Sequence, residues 1–343
     1  MRVALVFGGR SGEHDVSIVS ARSISRALSA HGHEVVPMAI DRHGLWAAPE
    51  LAEAVLSSSG DRTDQVVAFQ GSARIDERLL GDGLDVVFPA LHGPYGEDGA
   101  IQGLFEMLDL PYVGCDLTAS AVCMDKMHTK DLLLRAGFRT PAWVPVDRRA
   151  WSEETETLTA LMLDLGLPLF VKPARLGSSV GISKVSHADR LTAAVDRALE
   201  HGYTALVEKG VSAREIEVAV LGNERPRASL PGEVVPGNEF YDYDDKYIDD
   251  GCQLLAPAPL DDEVREQLRT LSVEVFRRLG CEGMARVDFF LGDDRDDMWV
   301  NEVNTIPGFT SISMYPKLWQ VTGLPYEDLV DELLRLAVQR HRR

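Results

Sequence analysis

Arg286, Asp288, Glu302 and Asn304 lie in two short strand-like runs, 286–291 and 299–304, separated by the turn-rich segment GDDRDD at 292–297. Folded as a hairpin with its turn centred on Arg295, the runs set Asp288 opposite Glu302 and Arg286 opposite Asn304. Strand alternation puts all four on one face and sends Val287 and Phe289 into a core. Two carboxylates directly opposite repel each other, and a divalent cation between them removes that penalty. Asp, Glu and Asn are hard oxygen donors, which suits Mg²⁺ bridging to phosphates. The competing reading is a solvated acidic hairpin, and a slip of one residue in register would break the pairing.

A second candidate is FVKPARLGSSVG at 170–181. Lys172 ends an apolar run, well placed as a point charge for phosphate. The turn holding Gly177, Ser178 and Gly181 can offer backbone N–H groups to phosphate oxygens. A flexible surface hairpin explains the segment equally well. Neither a G-x-x-x-x-G-K-[ST] loop nor a G-x-G-x-x-G fingerprint occurs. In GGRSGEH at 8–14, Glu13 is either a carboxylate favoured by a helix N-terminus or a receptor for an ammonium group. His14 and His92 are turn histidines or cleft-lining ones. The stretch YDYDDKYIDD at 241–250 alternates tyrosines, a lysine and acids without a core pattern, as an exposed loop or an active-site lid does.

The elements that must position these groups follow from periodicity. Strands are expected at 2–7, 34–40 and 84–91, with a helix over 15–30 between the first two. This βαβ rhythm predicts a doubly wound parallel sheet, with ligands beyond the carboxyl ends of its strands. Both glycine-rich segments, 8–14 and 92–99, fall at such ends. Further along come helices at 126–136, 152–165 and 261–279, strands at 167–173, 205–209 and 215–221, and a terminal helix from Glu327. The expected division is 1–124, 125–222 and 223–343. The chain has 343 residues and a formal net charge of −19, which argues against nucleic acid and anionic membranes as partners. No apolar run approaches the ~20 residues of a membrane span. Cys115, Cys123, Cys252 and Cys281 form no C-x-x-C pair and read as inert thiols in a reducing cytoplasm.

Taken together, these residues resemble the ATP-grasp superfamily, and within it the D-alanine–D-alanine ligases. The resemblance runs over nearly the whole chain. It rests on FGGRSGEH at 7–14, LHGPYGEDG at 91–99, Lys172-Pro173 with the turn to Gly181, 241–247, RVD at 286–288 and NEVNTIPGFTS at 301–311. It implies an α/β ATP-grasp fold, with an N-terminal parallel-sheet domain and two α+β domains gripping ATP. It implies that Lys126 and Lys172 contact ATP phosphates, that Glu208, Lys209 and Val211 bind adenine, and that Glu215 binds ribose. Asp288, Glu302 and Asn304 are then ligands to two Mg²⁺ (or Mn²⁺) ions. Glu13 takes the ammonium of a first D-alanine, with Ser178 and Tyr247 bonded to it and His92 lining the cleft. Lys246 reaches the transferred phosphate, Arg286 and the Gly308 N–H stabilise an oxyanion, and Ser313 and Met314 lie near a second D-alanine carboxylate. A homodimer is implied as well. The alternatives are a depsipeptide or mixed D-amino-acid ligase of the same fold, a non-catalytic nucleotide sensor, and a dehydrogenase. Tyr247 favours D-alanine over D-lactate, the retained oxyanion donor argues against a sensor, and the missing fingerprint argues against a dehydrogenase.

Overall fold

The computed structural model describes residues 1–58, 63–81, 83–177, 180–235, 253–294, 297–310 and 312–343. Its first unit contains β1 (Arg2–Gly8), α1 (His14–Ala30), β2 (Glu34–Ile40), α2 (Pro49–Ser57), β3 (Val86–Ala90), α3 (Ala100–Met107) and α4 (Leu117–Met124). The strands form a parallel sheet in the order β2-β1-β3. Apart from Arg2 and Gly8, β1 is entirely apolar, and all but Arg2 is buried, as a strand covered on both faces requires. It ends at Gly8, whose φ is +90°. A Cβ there would stand 2.2 Å from the Ile40 carbonyl oxygen, so only glycine lets the chain turn towards α1.

The second unit contains α5 (Lys126–Arg135), β4 (Trp143–Asp147), α6 (Arg148–Glu153), α7 (Thr155–Asp164), β5 (Leu169–Pro173), β6 (Ser183–Val185), α8 (Leu191–Glu200) and β7 (Thr204–Lys209). Its antiparallel sheet has the order β4-β7-β5-β6. The single helix expected over 152–165 is instead two, broken at Glu154 (φ −133°, ψ 32°). Glu153, Glu154 and Glu156 crowd that point, and carboxylates favour a helix start over a helix end.

The third unit contains β8 (Arg214–Gly222), β9 (Arg227–Ala228), β10 (Gly232–Val235), β11 (Gln253–Leu255), α9 (Asp262–Arg278), β12 (Gly283–Leu291), β13 (Met298–Asn304), α10 (Met314–Val321) and α11 (Tyr326–His341). Its strands run β11-β10-β8-β12-β13, with β9 beside β8. The change of sheet therefore falls between Lys209 and Arg214, so β8 pairs within this unit although the expected division at 222 grouped it with the second.

Alternation along β8 and β12 makes this sheet two-faced. Ile216, Val218, Val220, Ala285, Val287 and Phe289 pack on α9 in one core. Ala219, Leu221 and Met284 point the other way, into a core shared with β1, β3, α1, α10 and α11. Further along that second face the residues become charged: Glu215, Glu217, Arg286 and Asp288. The second unit keeps a core of its own around Leu169, Val171, Val195 and Val207.

Candidate active site

The hairpin register is as expected where it matters. Arg286 pairs with Asn304 and Asp288 with Glu302. Beyond that point the register shifts by one, so Phe289 faces Val300 rather than Asn301. The bulge leaves Asn301 as the extra residue, and bulges re-aim side chains. Here the Asn301 Oδ1 comes within 3.5 Å of the Lys172 Nζ.

On the charged face, Arg286 donates from Nε to Asp288 Oδ1 and from Nη2 to Asp288 Oδ2, both at 2.7 Å. Asn304 Nδ2 donates to Asp288 Oδ2 at 2.8 Å. Glu217, directly opposite Asp288 on β8, approaches the Arg286 Nε to 3.1 Å. Burial opposes the arginine's charge, but Asp288 and Glu217 outweigh it and hold its pKa well above the usual value. Glu215 lies on the same face of β8, opposite Phe290.

The second unit meets this face through lysines. Lys126 opens α5, where Asp125 caps the helix by accepting from the Met127 and His128 N–H groups. Its Nζ lies 3.4 Å from Glu302 Oε2 and donates to the Leu176 carbonyl at 2.8 Å. Lys172, buried at the end of β5, is 2.5 Å from Glu208 Oε2, and the other Glu208 oxygen pairs with Lys130. Burial alone would raise the Glu208 carboxyl, but Lys130 and Lys172 hold it down at about 2. The Glu208 side chain, expected beside adenine, is thus committed to two lysines. Lys209, the last residue of β7, and Val211, in the link to β8, lie outside this cluster: Lys209 is exposed, and its N–H bonds the Ala142 carbonyl.

The first unit contributes acids and a histidine. His92 is buried, with Nδ1 3.0 Å from the Ile306 carbonyl and Nε2 3.0 Å from the Ser20 hydroxyl. A carbonyl only accepts, so Nδ1 carries the proton, and in a neutral ring Nε2 accepts from Ser20. Burial lowers the His92 pKa, against the Glu13 charge. Glu97 accepts from the N–H groups of Gly93 at 3.0 Å and Ile306 at 3.2 Å. Burial, and then the charge of Glu13, raise its pKa to about 8. Glu13 Oε2 lies where a Cβ on Gly93 would approach it to 2.9 Å and one on Gly177 to 3.7 Å, so the glycine turn after β5 reaches this carboxylate. His14, the first residue of α1, is buried and bonds the Gly9 carbonyl.

Gly308 sits against Ser313: an added Cβ would lie 3.0 Å from the serine Oγ. That oxygen accepts from the Thr310 N–H at 3.0 Å and lies 2.7 Å from Thr310 Oγ1. Met314 begins α10 but is buried in the shared core, so its side chain packs more than it presents. Ser178, Lys246 and Tyr247 lie outside the described residues. Glu97, Glu217 and Lys130 belong to the site although the motifs did not single them out. Glu217 follows Glu215 by two on one strand, and Lys130 follows Lys126 by four on one helix, and both spacings put the pair on one face. Glu97 lies within the motif at 91–99, where no spacing sets it apart from its neighbours.

Among the described residues no three acidic, imidazole or thiol side chains enclose a metal site. Asp288 is held by Arg286 and Asn304, and Glu302 by Lys126. The oxygens are nevertheless of the kind a hard cation takes, on adjacent strands and paired in register.

Two antiparallel units that bring lysines of one against carboxylates of the other, beside a parallel-sheet unit, make up the architecture, and the ligases it superposes on have the ATP-grasp fold. Residues 2–115 match the family description "D-ala D-ala ligase N-terminus" and residues 132–335 "D-ala D-ala ligase C-terminus". A D-alanine–D-alanine ligase of Thermoanaerobacter sp. (strain X514) is 46% identical over 99% of this chain and 97% of its own. The solved D-alanine–D-alanine ligase of Coxiella burnetii superposes with a TM-score of 0.83 at 37% identity, over 100% of this chain and 95% of that one. The VanG D-Ala:D-Ser ligase of Enterococcus faecalis gives 0.82 at 33%, over 98% and 99%. The chain belongs to the D-alanine–D-alanine ligase family.

Proposed function

We propose that the protein joins two D-alanines in an ATP-dependent ligation, supplying the dipeptide for peptidoglycan, through a D-alanyl phosphate. The observation that carries this reading is the convergence of the Glu13–His92–Glu97 group, the Lys126 and Lys172 pair and the Arg286–Asp288–Glu302–Asn304 face, one from each unit.

A carboxylate is a poor electrophile, and phosphorylation gives it a leaving group. Lys126 and Lys172 hold and neutralise the phosphates, the positioning role that dominates phosphoryl transfer. Asp288, Glu302 and Asn304 would hold Mg²⁺ or Mn²⁺, which when bound supplies further positive charge to the triphosphate. Glu13 orients the first D-alanine through its ammonium, and His92, fixed by Ile306 and Ser20, closes that side. As the second amine attacks, the developing oxyanion takes hydrogen bonds from Arg286 and the Gly308 N–H, while Ser313 and Met314 lie towards the second carboxylate. By the family resemblance Ser178 and Tyr247 serve Glu13, and Lys246 the transferred phosphate, in a reaction that requires water to be kept from the acylphosphate. Glu208 acts on ATP through Lys172, while Lys209, Val211 and Glu215 face the nucleoside.

A cytoplasmic location is supported by three buried free thiols, Cys115, Cys123 and Cys281, and no helix among the described residues is long and apolar enough to cross a membrane. A homodimer is supported by the groove that Gly99, Gly103, Leu104, Met107 and Leu117 line, where Met107 is 89% exposed. The test is incubation with ATP, Mg²⁺ and D-alanine, alone and against D-serine or D-lactate, following phosphate release and product mass. One D-alanyl-D-alanine per phosphate is expected. Phosphate release without dipeptide, or a mixed product in preference, would overturn the reading.

A further inference from the structure

The two roles given to Arg286 and Asp288 conflict with the contact they make. Arg286 engages both Asp288 oxygens at 2.7 Å, and Asn304 uses one of them as well. A carboxylate so occupied has little left for a cation, which must approach oxygen to about 2.0–2.1 Å if it is Mg²⁺. A guanidinium at the same oxygens would also repel it. For Asp288 to turn to a cation, Arg286 must give it up. It would then be a charge in a largely enclosed site without its principal partner, which is costly.

The sheet provides a second carboxylate. Glu217 is buried, stands directly across from Asp288 on the neighbouring strand β8, and lies 3.1 Å from the Arg286 Nε. Glu302 flanks Asp288 on the opposite side, from β13. Along the row the order is Glu217, Asp288, Glu302, with Arg286 on the Glu217 side. A cation between Asp288 and Glu302 and a guanidinium against Glu217 are therefore compatible, with the Asp288 side chain moving between them. All three are fixed by ladder pairing in one continuous sheet, so the spacing does not depend on a loop. We propose that Glu217 is a positioning residue that retains the Arg286 guanidinium in the site when Asp288 turns to the cation. This inference rests on the reading above. Glu217 touches neither substrate nor cation; it acts through Arg286.

The experiment uses the full chain with ADP present and titrates Mn²⁺, reading free Mn²⁺ by electron paramagnetic resonance. Glu217→Gln keeps the shape and removes the charge. Asp288 then stays with Arg286, and Mn²⁺ affinity should fall about tenfold, the lower end of the range for partners that orient metal ligands. A general loss of negative charge would also weaken the cation, so the comparison is repeated in an Arg286→Gln background. With no guanidinium to retain, Glu217→Gln should there change Mn²⁺ affinity less than about twofold, well below that range. Equal losses in both backgrounds, or none in either, would overturn the proposal. Thermal melting accompanies each variant; should Glu217→Gln not fold, Glu217→Asp, which keeps the charge on a shorter arm, takes its place, with a smaller loss expected and an unchanged affinity counting against the proposal. Absence of Mn²⁺ binding by the unsubstituted protein would remove the functional reading itself, whereas normal binding with no effect of the substitutions removes only the role of Glu217.

Discussion

Single groups here are tuned by what faces them across the fold. Glu97 is the clearest case, because burial and the Glu13 charge raise its pKa to about 8 from an ordinary 4.5. Near neutral pH it therefore holds its proton. The folded state binds that proton more tightly than the unfolded chain, so this group's contribution falls as pH rises from about 4.5 to about 8. Glu97→Gln should remove that slope. Binding an ammonium at Glu13 cancels the charge that helps keep Glu97 protonated, so the Glu97 pKa should drop and a proton should leave. D-alanine binding measured calorimetrically in buffers of different ionisation heat should show proton release at pH 7 to 8, largely lost in Glu97→Gln. No buffer dependence in the unsubstituted protein would refute the coupling. The motif containing Glu97 is plain in the sequence, but its protonation is not: that depends on burial and on Glu13, far away along the chain, which together outweigh the Gly93 and Ile306 N–H groups that favour the charged form.

At the scale of elements, local pairing was legible and long-range pairing was not. The hairpin of β12 and β13 could be read because its two strands are adjacent and their alternation is strict. The bulge that frees Asn301 left no mark in the pattern. Nor did the lysines that answer the acids: Lys126 arrives from α5 and Lys172 from β5, so the repulsion between Asp288 and Glu302 is already relieved in part. Glu302→Gln should therefore move metal-free stability by less than about 1 kcal/mol, as for a partly exposed ion pair, while sharply raising the Mg²⁺ concentration needed for turnover. Unchanged turnover at limiting Mg²⁺ would remove Glu302 from the metal site. For β5, Lys172→Ala should weaken ATP by roughly 1.5–3 kcal/mol, the value of a charge-assisted bond, and leave adenosine nearly unaffected; equal losses would sink the phosphate assignment. Glu208 keeps Lys130 in that variant, so the fold should persist. With one cation gone its pKa should rise from about 2. The stability it lends is complete above about 4.5 and lost as pH falls towards that value of 2, so acid unfolding should move to higher pH in Lys172→Ala.

Over the whole molecule, the division of cores departs from the division of the sequence. The first and third units share one apolar core, whereas the sheet of the second has its own, with Leu133 of α5 packed instead against the third unit. Nothing local announces this, since the residues that join, near 3–90 and 306–337, are separated by most of the chain. Phe309 stands at the join. Its ring is 6.0 Å from Phe88 and 5.6 Å from Tyr326, both edge-on, and 5.7 Å from Tyr315. Its carbonyl accepts from the Tyr326 hydroxyl at 2.8 Å. Because it follows Gly308, the same packing fixes the loop that carries a proposed oxyanion donor. Phe309→Ala should cost about 3–5 kcal/mol, as for other buried phenylalanines. The loss should not be uniform. Amides of β1, β3 and β8 should lose hydrogen-exchange protection together, because one core holds them. Amides of β5 and β7 should keep theirs, because Leu169, Val171 and Val207 pack elsewhere. Turnover should fall more than ATP affinity, since the lysines proposed to hold phosphate are on the untouched unit. Retained protection in β1 and β3, with loss confined to the third unit, would show that the two units fold independently and that the shared core is only a contact between them.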